Sequence, residues 1–297
     1  MTFYHAFQLR IHSHFSLPGF KKLKNSQEAD VEIVKTSVIP AIEPKITTAI
    51  CFHINEEEIL ISLPKIARIL LSRGEKVSVF VLDKTKQCAI SLFLINQVLP
   101  LLTMQRGNPV LHAGLVEVNG KAIAIAGHSG SGKSVLCAQL DQKSYPVLAD
   151  ECCVLSMTPD KGIIAFGASD YLQLWENSFN KPELDQRKGT PVRKGLNKFF
   201  YHTVTPKPHS LPLHAVIILT RHSNSMTKIR RLTKKAALIE LLQHSLHTAP
   251  LKGTELSKQA FTACSNIAQN IPVFELQQPS LLDDISPTAQ NIESIFN

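Results

Sequence analysis

Apolar positions along this chain keep two rhythms, and each predicts its own kind of element. Over Phe3–Ile11, Phe7, Leu9 and Ile11 alternate with polar residues, the period-two pattern of a half-buried strand. Val31–Val34, Ile46–Phe52, Ile59–Ser62 and Val77–Leu82 read as further strands, the last after the turn-like pair Arg73-Gly74. Ala89–Leu99 is apolar at helical spacing and is expected to end at Pro100. From Val110 the elements alternate. Val110–Val118 reads as a strand, Asn119-Gly120 as a hairpin turn and Lys121–Ala126 as a second strand. The glycine-serine stretch Gly127–Gly132 interrupts, and Lys133–Gln142 resumes as a helix with Leu136 and Leu140 four apart. Pro146–Asp150 reads as a buried strand ending on an acid, and Val154–Met157, Gly162–Phe166 and Tyr171–Trp175 as short strands. Leu213–Thr220 is a core strand, Lys234–His247 and Leu256–Gln269 are helices, Ile271–Leu276 is a closing strand, and residues 281–297 read as a tail. Strands alternating with helices predict an α/β architecture around the glycine stretch.

Length and composition add bounds. A chain of 297 residues, 44% hydrophobic, suggests about two domains. The expected division is a mixed, strand-rich N-terminal domain over 1–105, a scaffold or substrate-docking unit with no recognisable chemistry, and a second domain over 106–280. No apolar run is long enough to predict a membrane span, and Met1–Leu9, with His5 and Gln8, does not read as a secretory signal. A cytoplasmic location is the simplest expectation. Six scattered cysteines without a CxxC pair fit buried, reduced thiols. The net charge of +8 fits either solvated surface charge or an acidic partner. Sparse aromatics and short basic clusters argue against nucleic acid.

One stretch carries specific chemistry. Gly127-His128-Ser129-Gly130-Ser131-Gly132-Lys133-Ser134 satisfies GxxxxGK[ST], between an apolar strand and a helix as the motif requires. Gly127, Gly130 and Gly132 let successive backbone N–H groups face one centre, and the helix start adds its positive end. Lys133 is placed for the β- and γ-phosphates and the Ser134 hydroxyl for Mg²⁺. His128 is expected to point outward. Eighteen residues after Gly132, Asp150-Glu151 ends an apolar run. One of two adjacent acids can bind a metal while the other accepts a hydroxyl proton. The gap is shorter than in most P-loop GTPases and ATPases. His112, in Leu111-His112-Ala113, reads by itself as either a packed histidine or a site residue.

Taken together, Pro100-Leu101-Leu102, Leu111–Lys121, the Gly127–Ser134 loop and Leu148-Ala149-Asp150-Glu151 resemble the catalytic domain of HPr kinase/phosphorylase. The chain is similar, more closely, to HPr-kinase-related proteins found beside ribosomal peptide clusters, some of which phosphorylate lasso peptides on serine. Tyr4–Leu9, Leu213–Arg221 and Leu241–Ser245 also resemble those relatives, so the likeness runs along most of the chain, with its specific motifs confined to 111–151.

The resemblance implies a phosphoenolpyruvate-carboxykinase-like P-loop kinase core. It implies ATP on Gly127–Ser134, Mg²⁺ held by Ser134 and Asp150, a base among Asp150 and Glu151, and His112 beside them. It implies a basic residue near the transferred phosphate, for which Arg221, Arg193, Lys194 and Lys198 are candidates. The family usually has two aspartates where this chain has Asp150-Glu151, and often an arginine where it has Gln173. The Glu-Ile-Arg-Gly signature of the phosphorylase activity is missing, so a kinase without the reverse reaction is expected. The expected activity is transfer of the γ-phosphate of ATP to a serine of a peptide or small protein. A non-catalytic ATP sensor and a small-molecule or sugar kinase stand as alternatives. Known HPr kinases form hexamers, and the resemblance implies self-association.

Overall fold

The structure is a computed structural model and describes residues 1–24, 28–38, 50–55, 57–158, 160, 162–167, 171–180, 182–193, 195–203, 209–222, 226–245, 251–279 and 285–296. The chain divides into two compact units. One comprises Met1–Asn108 and His247–Gln259, the other Pro109–Leu246 and Ala260–Asn297.

The first unit is built on an eight-stranded sheet: β1 (Thr2–Ala6), β2 (Leu9–Ser13), β3 (Lys21–Lys22), β4 (Val31–Lys35), β5 (Cys51–Ile54), β6 (Glu58–Leu63), β7 (Ala67–Ser72) and β8 (Lys76–Val81). Their order is β3-β1-β2-β4-β8-β7-β6-β5. The single strand expected over Phe3–Ile11 is a hairpin instead. Phe7 and Gln8 both take positive φ, 53° and 61°, and Ala6 pairs with Leu9 across the turn. Two residues in that conformation match the strand twist, and the alternation hides the turn because no glycine or asparagine marks it. Of the expected Ile46–Phe52 strand, residues 46–49 lie outside the described residues and 51 and 52 open β5.

The helix expected to stop at Pro100 continues past it. α1 (Gln87–Phe93) passes through a π-helical turn at Leu94–Val98 into α2 (Leu99–Gln105), with Pro100 in the first turn of α2. The wider turn accommodates the ring and missing N–H that would break a regular α-helix. By length and composition, Lys84–Gln105 has what a membrane crossing needs, although the sequence predicts no span; 56% of its most apolar window is buried inside the protein. Leu94, Val98, Leu99, Leu101 and Leu102 are fully covered, as in a core helix.

The second unit is mixed α/β. Its strands are β9 (Val110–Leu111), β10 (Ala113–Val118), β11 (Lys121–Ala126), β12 (Val147–Ala149), β13 (Cys153–Thr158) and β14 (Gly162–Phe166), then β15 (Tyr171–Trp175), β16 (Lys188–Pro191), β17 (Lys198–His202), β18 (Ser210–His222), β19 (Lys228–Arg231) and β20 (Val273–Pro279). β11 lies parallel to β18, and β18 parallel to β20. The Asn119-Gly120 turn, with φ of 51° and 73°, joins β10 to β11 with Val118 opposite Lys121. β15, β17 and β16 form a separate three-stranded sheet.

Both faces of the large sheet are buried, which explains the unbroken apolar run of β11. Ala122, Ala124 and Ala126 face a core that takes in Ala237 and Leu241 of the helix Lys234–His244 and Cys264, Ile267 and Ala268 of Glu255–Asn270. Ile123 and Ile125 face the opposite core, with Leu136, Cys137 and Leu140 of α3 (Lys133–Gln142). The last residues, expected as a tail, include a helix at Ser286–Glu293 that packs Ala289 and Ile292 into this second core. Arg187 links α3 to the small sheet. Its Nη1 donates to Asp141 Oδ2 at 2.9 Å and to the Tyr201 hydroxyl at 3.1 Å.

Candidate active site

The loop between β11 and α3 is held at both ends by the core. Gly127, Gly130 and Gly132 have φ of 150°, 81° and 95°, a region that side chains disfavour. At Gly127 a Cβ would also lie 2.6 Å from the Leu219 carbonyl oxygen, and at Gly132 it would run into the Arg221 guanidinium. No side chain caps the start of α3. Its first N–H groups therefore remain available to an anion.

Lys133 folds back on the loop. Its Nζ donates to the carbonyl of Gly127 at 2.7 Å and of His128 at 3.3 Å. Burial lowers its pKa, against the pull of Asp150 and Glu151. His128 and Ser129 are exposed, as expected of loop tips. The buried Ser131 hydroxyl has no hydrogen-bond partner among the described residues.

Asp150 stands just past β12 and is 5% exposed. Its Oδ2 accepts the Gln173 backbone N–H at 2.7 Å, and its Oδ1 has no partner among the described residues. Burial raises its pKa to about 6; the Glu151 charge adds to this, while the Ser134 hydroxyl pulls the other way. Glu151 differs from its neighbour. Burial pushes its carboxyl up, but Lys198, with smaller help from His112 and Lys133, more than offsets this and holds it below the usual range. Lys198 Nζ donates to Glu151 Oε1 at 2.7 Å.

His112 occupies the break between β9 and β10, where a single strand was expected. Its backbone N–H donates to the His244 carbonyl at 2.8 Å, and its ring Nδ1 lies 3.1 Å from the Glu151 carbonyl oxygen. A carbonyl only accepts, so that contact puts the proton on Nδ1 and leaves Nε2 with its lone pair. Burial, then the Lys133 charge, lowers the pKa of His112. His244 is buried and stands with its ring 5.0 Å from that of His128, centroid to centroid. Burial, with the nearby charges of His128, Lys133 and His112, brings its pKa down to about 4.

Lys133, Ser134, His112, Glu151, Lys198 and Arg221 line a cleft of about 190 Å³, and the buried Asp150 is not part of its lining. Arg221 Nε donates to the Ser131 carbonyl at 2.8 Å. Of the other basic candidates, Arg193 does not line the cleft and Lys194 lies outside the described residues. Sequence reasoning did not single out the Gln173 N–H, Trp175 or His244 for the site. Gln173 and Trp175 come from β15, and no spacing in the sequence ties them to the acids.

The residues present fit a small divalent cation. An unpaired buried carboxylate oxygen stands beside a serine hydroxyl that acts on the same carboxylate. No group of three or more His, Cys, Asp or Glu side chains placed to hold a metal ion occurs among the described residues. A cation here would thus rely on one carboxylate, one hydroxyl and oxygens from a phosphate and water, the usual habit of Mg²⁺.

No family model matches the chain, and no curated protein matches it. Among solved structures it is similar to the HPr(Ser) kinase/phosphatase from Coxiella burnetii, at 12% identity and a TM-score of 0.32, covering 63% of this chain and 87% of that one. A likeness at that level carries no functional weight, so the reading below rests on the site itself.

Proposed function

We propose that this chain is an ATP- and Mg²⁺-dependent kinase that transfers a phosphoryl group to a serine hydroxyl of a peptide or small protein. The observation that carries it is the cleft in which Lys133 and Ser134 of the glycine loop meet Glu151, with the buried Asp150 carboxylate next to Glu151 in the chain and within reach of the Ser134 hydroxyl. The same reading assigns the second unit to a phosphoenolpyruvate-carboxykinase-like P-loop kinase core. What supports that assignment is the β10–β11 hairpin leading into the loop and the short path from loop to acids.

In this reading the loop N–H groups and the start of α3 receive the triphosphate. Lys133 exchanges its two loop carbonyls for phosphate oxygens. Ser134 and Asp150 would hold Mg²⁺, which when bound offsets phosphate charge during in-line transfer. Glu151, kept ionised by Lys198, takes the proton of the acceptor hydroxyl as the new O–P bond forms and the bond to the leaving diphosphate breaks. Neutral His112 steadies the Glu151 backbone through Nδ1. Most of the rate enhancement comes from positioning and charge.

The test is incubation with γ-labelled ATP, Mg²⁺ and the peptides and small proteins encoded in neighbouring genes. Label on a serine, lost in Asp150→Asn, is the expected result. Normal ATP binding with no transfer to any of them sinks the kinase reading. One observation favours an ATP-sensing regulator as the second reading: Lys198 already occupies the Glu151 carboxylate. A sensor would lose ATP affinity in Lys133→Ala and show no turnover.

A further inference from the structure

The cleft has an apolar wall that the chemistry above does not use. Trp175, the only tryptophan of the chain, ends β15 and is 57% exposed. Its position is set by two constraints. The Gln173 N–H is bound to Asp150 Oδ2, which fixes the register of β15 against the acids. Gln173, Leu174 and Trp175 all line the cleft; Leu174 is 1% exposed and belongs to the core cluster, so strand alternation puts Gln173 and Trp175 on the opposite face. Two residues along a strand span about 7 Å, so the indole stands roughly one residue's reach from the acid pair.

The cross-strand partner of Trp175 is Lys198, the residue bound to Glu151. Facing side chains on neighbouring strands lie within contact reach. The indole therefore belongs to the side of the cleft where Glu151 would meet the acceptor. An exposed indole backed by a rigid strand is a good apolar anchor with one polar edge.

We infer that Trp175 is the acceptor-recognition residue, and that the acceptor is a segment carrying an aromatic or large aliphatic side chain next to the reactive serine. This inference rests on the kinase reading and names the substrate class for the same site. β15 is the end strand of its sheet, in the order β15-β17-β16, and the Gln173 N–H on its outer side is taken by Asp150, so the acceptor is recognised by side chain at Trp175. Lys198, across from the indole, is already paired with Glu151, so the charge of the flank should change binding less than its apolar surface does.

The experiment uses octapeptides with one serine flanked by Phe, Leu, Ala, Glu or Lys, and the full chain. Binding is read without nucleotide from the emission of the single indole, and transfer is read with γ-labelled ATP and Mg²⁺. Phe- and Leu-flanked peptides should shift the emission and bind about tenfold tighter than the Ala-flanked one, a difference of one well-placed aromatic contact. Trp175→Ala should raise the peptide KM about tenfold and erase the flank preference, Trp175→Phe should restore most of both, and the ATP KM should hold in each. Equal binding of all flanks, an unchanged preference in Trp175→Ala, or a rise confined to the ATP KM overturns the inference. Selective peptide binding with no transfer by the wild-type chain instead rejects the kinase reading and leaves the recognition wall standing.

Discussion

The two sides of the cleft are built differently. The donor side, Gly127–Ser134 with Asp150, comes from one β-loop-α unit and the strand after it. Its geometry follows from local rules: glycines at positive φ, a helix start and a buried strand on both faces. The acceptor side combines Glu151 with Lys198 and Trp175, which are 47 and 24 residues further on by their numbering and arrive through the small β15-β17-β16 sheet. Neighbouring acids end up in opposite electrostatic conditions. Asp150 is raised by burial, whereas Glu151 is held down by a lysine from another sheet. One side is therefore specified by sequence order and the other by tertiary pairing, and substitutions should separate them.

The largest separation lies on the donor side. Lys133→Ala and Asp150→Asn should each lower phosphotransfer about 10²–10³-fold, the cost of removing one preorganised charge from a transfer site. Lys133→Ala should also weaken ATP binding, measured by calorimetry, whereas Asp150→Asn should lower Mg²⁺-dependent binding only. Equal loss of magnesium-free ATP binding in both variants contradicts the division of roles between the two residues.

On the acceptor side, Lys198→Met should reduce kcat about 10²-fold at neutral pH with ATP affinity intact, within the range a misprotonated base costs. The sign follows from the shift. Lys198 holds the Glu151 carboxyl down against burial, so its removal lets burial raise it, and the base is then protonated over a wider range. Activity should recover as pH rises, moving the acidic limb of the rate profile to higher pH. A profile that falls in amplitude without moving would show that Lys198 acts on the phosphate and not through Glu151.

The same contrast governs what was legible in the residues alone. The hairpin turn at Asn119-Gly120, the glycine loop, the helix behind it and Asp150 all lie in 119–150, where period, turn chemistry and motif agree. β7, β16, β17 and β19 were not foreseen. β16 and β19 are short and polar, and their pairing partners decide their state more than their own pattern does; β7 and β17 carry apolar, strand-like runs of their own. The Phe7-Gln8 turn lacks the residues that usually announce positive φ. The helix through Pro100 shows local chemistry overruled by packing, since Leu101 and Leu102 beyond the proline are fully buried. Lys198 and Trp175 could not be tied to Glu151 and Asp150 in advance, because only the register of β15 against β17 joins them.

A smaller effect should reveal how the two sides are coupled. Arg187 joins α3, behind the glycine loop, to Tyr201 on β17, next to the Lys198 strand end. The Asp141 side chain is fully buried and that of Arg187 is 28% exposed. Arg187→Met should cost about 2 kcal/mol of stability, below the figure for a fully buried pair because one partner is partly solvated. Thermal unfolding measures it. If acceptor KM rises while ATP KM stays, the link positions the small sheet; a parallel rise in both would make the two sides one rigid device.

The smallest effect concerns Arg221, which lines the cleft but touches the donor loop. Its Nε–H donates to Ser131, and its guanidinium fills the space a Cβ at Gly132 would need. Two costs are therefore mixed at Gly132: strain at φ 95° and a collision with Arg221. Arg221→Lys removes the second and leaves the first. Gly132→Ala should weaken ATP binding in both backgrounds, because left-handed backbone costs alanine about 1 kcal/mol. It should weaken it more when arginine is present, with a coupling of about 0.5–1 kcal/mol across the double-mutant cycle. Arg221→Lys alone should cost about 1 kcal/mol of ATP affinity, one hydrogen bond to the loop, and leave the acceptor KM unchanged. Strict additivity would mean that the guanidinium turns away from Gly132 without loss. Arg221 would then be free to serve the acceptor side, and the boundary between the two sides would run through the loop instead of beside it.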